Sequence, residues 1–301
     1  DLMFAQYADL PWLIEQVSIT VVPSASTLVL LRRLEDSEQS SSGFVGFGDP
    51  LFSADQKDAD EQLTSLGAST NQTLISRSAT LGYRTQPDTR SRLTADLSVL
   101  PPLPETSEEL GRIASILNAR IAEDLFLGSQ ASEQNVKERD LSNKTVMIFA
   151  THGLLPGDLD GLDQPALALS NPKLNQSSGD GLLKMEEILT LDLNADWVIL
   201  SACNTASGDG DGAEAFSGLG QAFFYAGARS LLLSNWSVET VSAKLLTTGI
   251  FKASVSDRSL TRAQALQASI RKLIDSADES DTYSYAHPIF WAPFTLVGDG
   301  G

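Results

Sequence analysis

The sequence predicts an α/β fold in which a mostly parallel central sheet is covered by helices on both faces. Four short apolar runs lack the polar alternation of half-exposed strands, so we expect strands that are buried on both faces. Segments between them carry apolar residues three and four positions apart, as amphipathic helices do. Such alternation implies right-handed crossovers and parallel strands. The runs are TVMIFA, DWVIL, SLLLS and FTLVG, at 145–150, 196–200, 230–234 and 294–298.

Residues 1–42 are predicted to form a small N-terminal strand/helix subdomain and a linker. Residues 12–16 (WLIEQ) and 18–24 (SITVVPS) have the composition of paired short strands, and a helix is expected from about Ser24 to Arg33. A polar linker ends at Gly43, and FVGFG after it is an apolar run closed by an Asp-Pro turn. This run is expected to be the first sheet strand of the main domain, residues 43–301.

The main domain is predicted to contain a long polar insertion at about 51–100, because that stretch has no sustained apolar period. A helix is expected directly after it, at 105–118. There Thr106 and Glu109 fit a capping box, and Leu110 and Ile113 begin one apolar stripe.

Composition excludes several classes of function. The chain has 39 acidic and 21 basic residues, a net charge of −18, so a nucleic acid would be repelled. No apolar stretch is long enough to span a membrane, and the first residues do not have the pattern of a signal peptide. The single cysteine cannot form an internal disulfide, which favours a reducing, cytoplasmic location.

Two chemically active side chains follow two of the predicted strands. His152 comes directly after TVMIFA and Cys203 directly after DWVIL. Reactive groups in open α/β sheets gather beyond the carboxyl ends of the strands, so neighbouring strands would bring these two side chains together. The alternatives are a cysteine that only packs in the core and a loop histidine without a role. The second histidine, His287, lies among aromatic residues and is interpreted as structural.

Five stretches in this order resemble a CHAT domain, a caspase-like family related to the separases. They are FATHG, DGLLKMEEILTLDL, WVILSACNTASGDG, GLGQAFFYAGARSLLLSNW and HPIFWAPFTLVGDG, and the resemblance runs from about Phe44 to Asp299. It implies a caspase-hemoglobinase fold and a catalytic dyad of His152 and Cys203. It also implies upstream helical repeats, and we expect further chain before Asp1, which is not a Met. Caspases carry Gln-Ala-Cys where this chain has Ser-Ala-Cys, so aspartate-specific cleavage is not expected.

The resulting prediction is a cysteine endopeptidase acting on proteins through a thioester. The backbone N–H groups of Gly153 and Cys203 are the expected oxyanion hole. Carboxylates near the cleft would favour a basic side chain before the cut, although Gly/Asp turns are often acidic without such a role. The predicted substrate-binding residues are Asp49, Asp211, Glu214, Asn235 and Trp236.

We predict no cofactor. The DGDGAE run lacks the ligand spacing of a calcium loop, and there is no Gly-Lys-Ser/Thr phosphate loop. The expected partners are a protein substrate and an upstream repeat module or activating protein, with no directly bound nucleic acid and no membrane. The alternative function is a catalytically silent caspase-like scaffold. An α/β hydrolase is disfavoured because its nucleophile precedes its histidine in the chain.

Overall fold

The computed structural model describes residues 5–22, 24–32, 43–65, 96–201, 211–236, 238–276 and 284–301. Its central sheet has six strands in the order β2-β1-β3-β7-β8-β9. Every neighbouring pair is parallel except β8 with β9. The predicted mostly parallel sheet is therefore confirmed. Its strands are β1 (Phe44–Gly48), β2 (Leu125–Leu127), β3 (Val146–Ala150), β7 (Trp197–Leu200), β8 (Ser230–Ser234) and β9 (Phe294–Gly298).

Helices cover both faces of this sheet. One face packs against α4, α10 and α11, and the other against α6, α8 and α9. In chain order the helices are α1 (Leu13–Gln16), α2 (Ala25–Leu31), α3 (Ala54–Ser65), α4 (Glu105–Ile116), α5 (Ile121–Asp124), α6 (Glu133–Glu138), α7 (Pro172–Asn175), α8 (Met185–Ile188), α9 (Asp211–Ala226), α10 (Thr240–Ser256) and α11 (Arg262–Asp275).

Burial on both faces explains why β1, β3 and β7 are apolar without alternation. For β9 the expectation is wrong, because its residues alternate between buried and partly buried at the edge of the sheet. In β3, Ile148 joins the core beneath α4 and α10, whereas Met147 and Phe149 join the core beneath α9. The ring of Phe47 in β1 stacks on Phe149 at 5.3 Å and on Phe126 of β2 at 5.0 Å. These ring contacts hold β1, β2 and β3 together on this face of the sheet.

A second, antiparallel sheet lies next to the end of β3. It is formed by β4 (Gly153–Leu154), β5 (Ala166–Ala168) and β6 (Leu182–Lys184), in that order. The backbone N–H of Ala168 donates to the carbonyl oxygen of His152 at 2.9 Å. The chain thus leaves the large sheet after β3 and enters the small one at His152.

The N-terminal prediction is partly wrong. Residues 13–16 form helix α1, not a strand, and Val21 makes one isolated bridge to Val297 instead of belonging to a strand. The indole of Trp12 packs edge-on against Trp291 at 5.4 Å, and its Nε1 donates to the Tyr7 carbonyl. Tertiary packing therefore decides the local structure of this short segment.

The ends of the predicted insertion are folded onto the core. Residues 54–65 form α3, and Leu51, Phe52, Leu97 and Leu100 are buried. Residues 66–95, the middle of the predicted insertion, lie outside the described residues.

Candidate active site

The carboxyl ends of four adjacent strands meet at one edge of the central sheet. Asp49 follows β1, Ser201 follows β7 and Asn235 follows β8, while His152 is the second residue after β3. Because β1, β3, β7 and β8 are parallel neighbours, these four residues lie along the same edge. That the site lies at this edge stays a prediction.

Both the ring and the backbone of His152 are fixed. The side chain is 2% exposed, its Nε2 lies 2.8 Å from the Pro101 carbonyl oxygen, and the Phe52 ring lies 5.6 Å away between centroids. A carbonyl oxygen can only accept, so Nε2 carries the proton in this hydrogen bond. In the neutral ring, Nδ1 is then the nitrogen with a lone pair.

Cys203 lies outside the described residues, as do all of residues 202–210. The chain is described up to Ser201, whose backbone N–H donates to the Phe149 carbonyl at 2.9 Å. In the β3–β7 register Phe149 is paired with Leu200. His152 and Cys203 each stand three residues beyond this pair in the sequence.

The N–H of Gly153 points away from its neighbouring strand. Gly153 pairs with Leu167 of β5, and Ala168 donates to His152 in the same ladder. This pattern makes Gly153 and Leu167 a non-hydrogen-bonded pair, whose own N–H and C=O groups face outward. Because β4 is an edge strand of the small sheet, the Gly153 N–H faces that sheet's open side.

Asp49 is an unusual group at this edge. Its backbone has φ 49°, in the left-handed region, and its N–H donates to Thr106 Oγ1 at 2.8 Å. Burial, and to a smaller extent the nearby carboxylates of Asp60 and Glu105, together raise the pKa of its carboxyl to about 7. Sequence reasoning did not identify Asp60 or Glu105, because only folding brings α3 and α4 to the end of β1.

The remaining predicted site residues differ in what the structure describes. Asn235 joins two strands, since its Nδ2 donates to the Pro293 carbonyl at 2.8 Å and to Thr295 Oγ1 at 2.6 Å. Trp236 beside it is 37% exposed. Asp211 and Glu214 lie in the first turn of α9, and their side chains are outside the described set.

The capping box predicted for Thr106 and Glu109 is wrong. Thr106 Oγ1 donates to the Leu103 carbonyl, and the N-cap position is Pro104. The Glu109 carboxylate is instead fully buried, and Ser201 Oγ donates to it at 3.2 Å. The three-residue spacing is that of a capping box, but Glu109 instead contacts Ser201, which lies 92 residues away in the sequence.

Within the described part of the chain, no group of three or more His, Cys, Asp or Glu is arranged to bind a metal ion. In the same residues, no helix combines the length and the apolar character that crossing a membrane requires.

The fold is an α/β domain with a mostly parallel central sheet, and a family comparison assigns the domain to a family. The family model of the CHAT domain matches residues 3–299, so the chain belongs to the CHAT domain family. Tetratricopeptide repeat protein 28 of Mus musculus is 23% identical over 224 residues, which are 65% of this chain and 9% of that protein. The chain therefore spans less than a tenth of this curated relative.

A solved structure of the Arg specific cysteine proteinase gingipain R is also similar. It matches with a TM-score of 0.38 and 10% identity, over 64% of this chain and 41% of that chain.

Proposed function

We propose that this chain is a cysteine endopeptidase that cleaves protein substrates through a dyad of His152 and Cys203. The observation that supports it is the parallel register of β3 and β7. If the segments after β3 and β7 continue in this register, the residues three positions beyond Phe149 and Leu200 become neighbours at the sheet edge. Those residues are the imidazole and the only thiol in the sequence.

The proposed reaction begins when His152 Nδ1 accepts the proton of the Cys203 thiol. The thiolate attacks the carbonyl carbon of the scissile peptide bond, and a tetrahedral intermediate forms. As the C–N bond breaks, the imidazolium returns a proton to the departing amine and leaves a thioester. His152 then takes a proton from water, whose oxygen displaces the sulfur and releases the carboxylic acid. The Pro101 carbonyl stabilises the imidazolium by accepting from Nε2–H.

The oxyanion hole is assigned to the backbone N–H groups of Gly153 and Cys203. The outward direction of the Gly153 N–H supports this role, because an oxyanion donor must not be used within the sheet. The glycine also lets the substrate backbone approach closely.

A preference for a basic side chain before the cut is assigned to Asp49. The partly buried carboxyl ionises at a lower pH when a cation binds beside it, so part of the cost of burying its charge is recovered on substrate binding. Asp211, Glu214, Asn235 and Trp236 are proposed to line the remainder of the substrate groove, and the exposed indole of Trp236 suits such a wall.

The activity is proposed to be controlled by an upstream helical-repeat module or an activating protein partner. The similarity to a tetratricopeptide repeat protein supports this arrangement, because that protein combines a matching region with a much longer chain.

The test is incubation with a peptide library, with cleavage sites identified by mass spectrometry. Cys203→Ala and His152→Ala are each expected to lower the cleavage rate by at least about 1,000-fold, since each removes one half of the dyad. The matched control is His287→Asn. Its imidazole Nδ1 accepts from the Ile289 N–H, an acceptor role that Asn can keep.

Cleavage by the wild-type chain together with loss in both dyad variants supports the proposal. Undiminished cleavage by Cys203→Ala would show that another group is the nucleophile. No cleavage by the wild type, in the same library and with an activating partner present, would favour the silent scaffold.

A further inference from the structure

We infer that Glu109 is a positioning residue that fixes the end of β7, from which the chain continues to Cys203, relative to His152. The inference rests on the proposed dyad. It concerns a buried carboxylate on α4 that neither the mechanism nor the substrate groove uses.

The contacts of Glu109 join α4 to the end of β7. Its Oε1 accepts from Ser201 Oγ at 3.2 Å and lies 2.9 Å from Thr247 Oγ1 of α10. Ser201 is also bound through its backbone, whose N–H donates to the Phe149 carbonyl of β3. A carboxylate that is 0% exposed is costly to bury unless hydrogen bonds satisfy it. The hydroxyl of Ser201 is therefore confined to one position.

Residues 101–109, the segment that ends at Glu109, also contact the ends of β1 and β3. The Pro101 carbonyl accepts from the His152 ring, which follows β3, and Thr106 Oγ1 accepts from the Asp49 N–H, which follows β1. Glu109 then contacts Ser201 after β7. Residues 101–109 thus touch three strand ends that are adjacent in the sheet, those of β1, β3 and β7.

Close packing of α4 on β1 makes this arrangement rigid. A Cβ on Gly48 would lie 2.5 Å from Leu110 Cδ1, and one on Gly46 would lie 3.2 Å from Leu110 Cδ2. The two glycines therefore allow the helix to approach the strand more closely than any side chain would permit. Glu109 precedes Leu110, so the position of its carboxylate depends on this approach.

A purely structural role, joining α4 to α10, is the competing explanation. The neighbouring residue offers a direct comparison, because Glu108 already forms an ion pair with Lys244 of α10 at 3.0 Å. Glu108 makes that link without any described contact to Ser201. A substitution at Glu108 therefore tests the link between the helices, whereas one at Glu109 or Ser201 also tests the end of β7.

The experiment measures alkylation of Cys203 by iodoacetamide from pH 5 to 9 in the full chain. Because Cys203 is the only cysteine, one added carbamidomethyl group in the intact mass reports its reactivity without any substrate. The variants are Glu109→Leu, Glu109→Gln and Ser201→Ala, with Glu108→Gln as the matched control. Peptide cleavage is measured on the same variants, and thermal unfolding shows which of them are folded at the assay temperature.

A thiol that loses its place beside the imidazolium is less readily ionised, so its alkylation profile moves to higher pH. Glu109→Leu and Ser201→Ala are expected to slow alkylation at pH 7 by at least about fivefold and to lower kcat more than they change KM. Glu109→Gln is expected to stay within about twofold of wild type, since its Oε1 accepts the same two hydroxyl groups. Glu108→Gln is expected to match wild type.

Wild-type alkylation profiles for both Glu109→Leu and Ser201→Ala would overturn the inference. If Glu109→Leu does not fold, Ser201→Ala alone decides, because it removes one hydroxyl from a strand end. His152→Ala separates this result from the proposed function. If His152→Ala shifts the alkylation profile and the two other variants do not, only the role of Glu109 fails. If His152→Ala leaves the profile unchanged, the dyad itself fails.

Discussion

The Asp49 carboxyl lies where carrying a negative charge is costly. It is partly buried, it follows β1 in the left-handed backbone region, and Asp60 and Glu105 repel its negative charge. Such a perturbed group at a sheet edge is more typical of functional sites than of structural ones. The position of Asp49 after β1 could be predicted from the sequence. Its surroundings could not, because α3 and α4 are separated from it in the chain.

Asp49→Asn is expected to stabilise the protein at neutral pH and to leave it unchanged at pH 4. The folded-state pKa is about 7, against 3.8 as the ordinary value, so only the unfolded chain releases the proton between these pH values. The free energy of unfolding of the wild type therefore falls as pH rises through that window, by at most about 4 kcal/mol. Above pH 7 the loss is complete. Asparagine does not ionise, so its variant lacks this loss.

Urea unfolding of wild type and Asp49→Asn at pH 4.5, 6 and 8 measures the effect. Asp160→Asn, a carboxylate on an exposed turn, is the control for a general change in net charge. Equal differences in unfolding free energy at all three pH values would contradict the raised pKa.

At the scale of elements, the sequence predicts strands well where both of their faces are buried. Runs 145–150 and 230–234 agree with β3 and β8 to within a residue, since nearly every position there is buried. Run 294–298 also coincides with β9, although the burial of its residues alternates. The strand prediction fails at residues 12–16, where packing of Trp12 on Trp291 favours a helical turn. The capping box predicted from Thr106 and Glu109 is also wrong, because the same residue types can form a capping box or a tertiary hydrogen bond.

Gly111 in α4 and Gly48 in β1 are expected to respond to substitution by alanine with opposite changes in stability. Gly111 lies inside α4, and nothing stands within 4 Å of an added Cβ, so Gly111→Ala should raise the free energy of unfolding by about 0.5–1 kcal/mol. Gly48→Ala should lower it by about 1–3 kcal/mol, because the new methyl group overlaps the buried Leu110 side chain.

Chemical unfolding of the two variants beside wild type measures both changes. A stabilised Gly48→Ala would show that α4 can move away from β1 without cost, and the rigid packing of residues 101–109 would then be in doubt.

At the scale of the whole molecule, sequence reasoning reaches the edge of the sheet but not the contacts that shape the site. Strand ends converge in any parallel sheet, so His152 could be placed there from its position after an apolar run. The hydrogen bond from His152 to Pro101 spans 51 residues, and the one from Ser201 to Glu109 spans 92. No local pattern encodes such pairs. They follow from how residues 101–109 pack across the strand ends.

The division of the chain between residues 42 and 43 stays a prediction. Residues 1–42, here called the lead-in segment, make contacts with the rest of the chain that suggest how to test it. Tyr7 packs against His287 at 4.4 Å between ring centroids, and Gln267 of α11 donates to the Ile14 carbonyl at 2.8 Å. Val21 exchanges backbone hydrogen bonds with Leu296 and Gly298 along the edge of β9. The lead-in segment thus covers both an apolar surface and a strand edge of the main domain.

Removal of residues 1–42 is therefore expected to lower the midpoint of thermal unfolding by at least about 5 °C. It should also shift tryptophan emission to longer wavelength, because Trp291 loses its contact with Trp12. Trp12→Ala in the full chain is the comparison, since it removes this packing while the β9 edge stays covered, and its midpoint should fall by a smaller amount. An unchanged midpoint in the truncated chain would show that residues 43–301 fold independently and that the lead-in segment only rests on their surface.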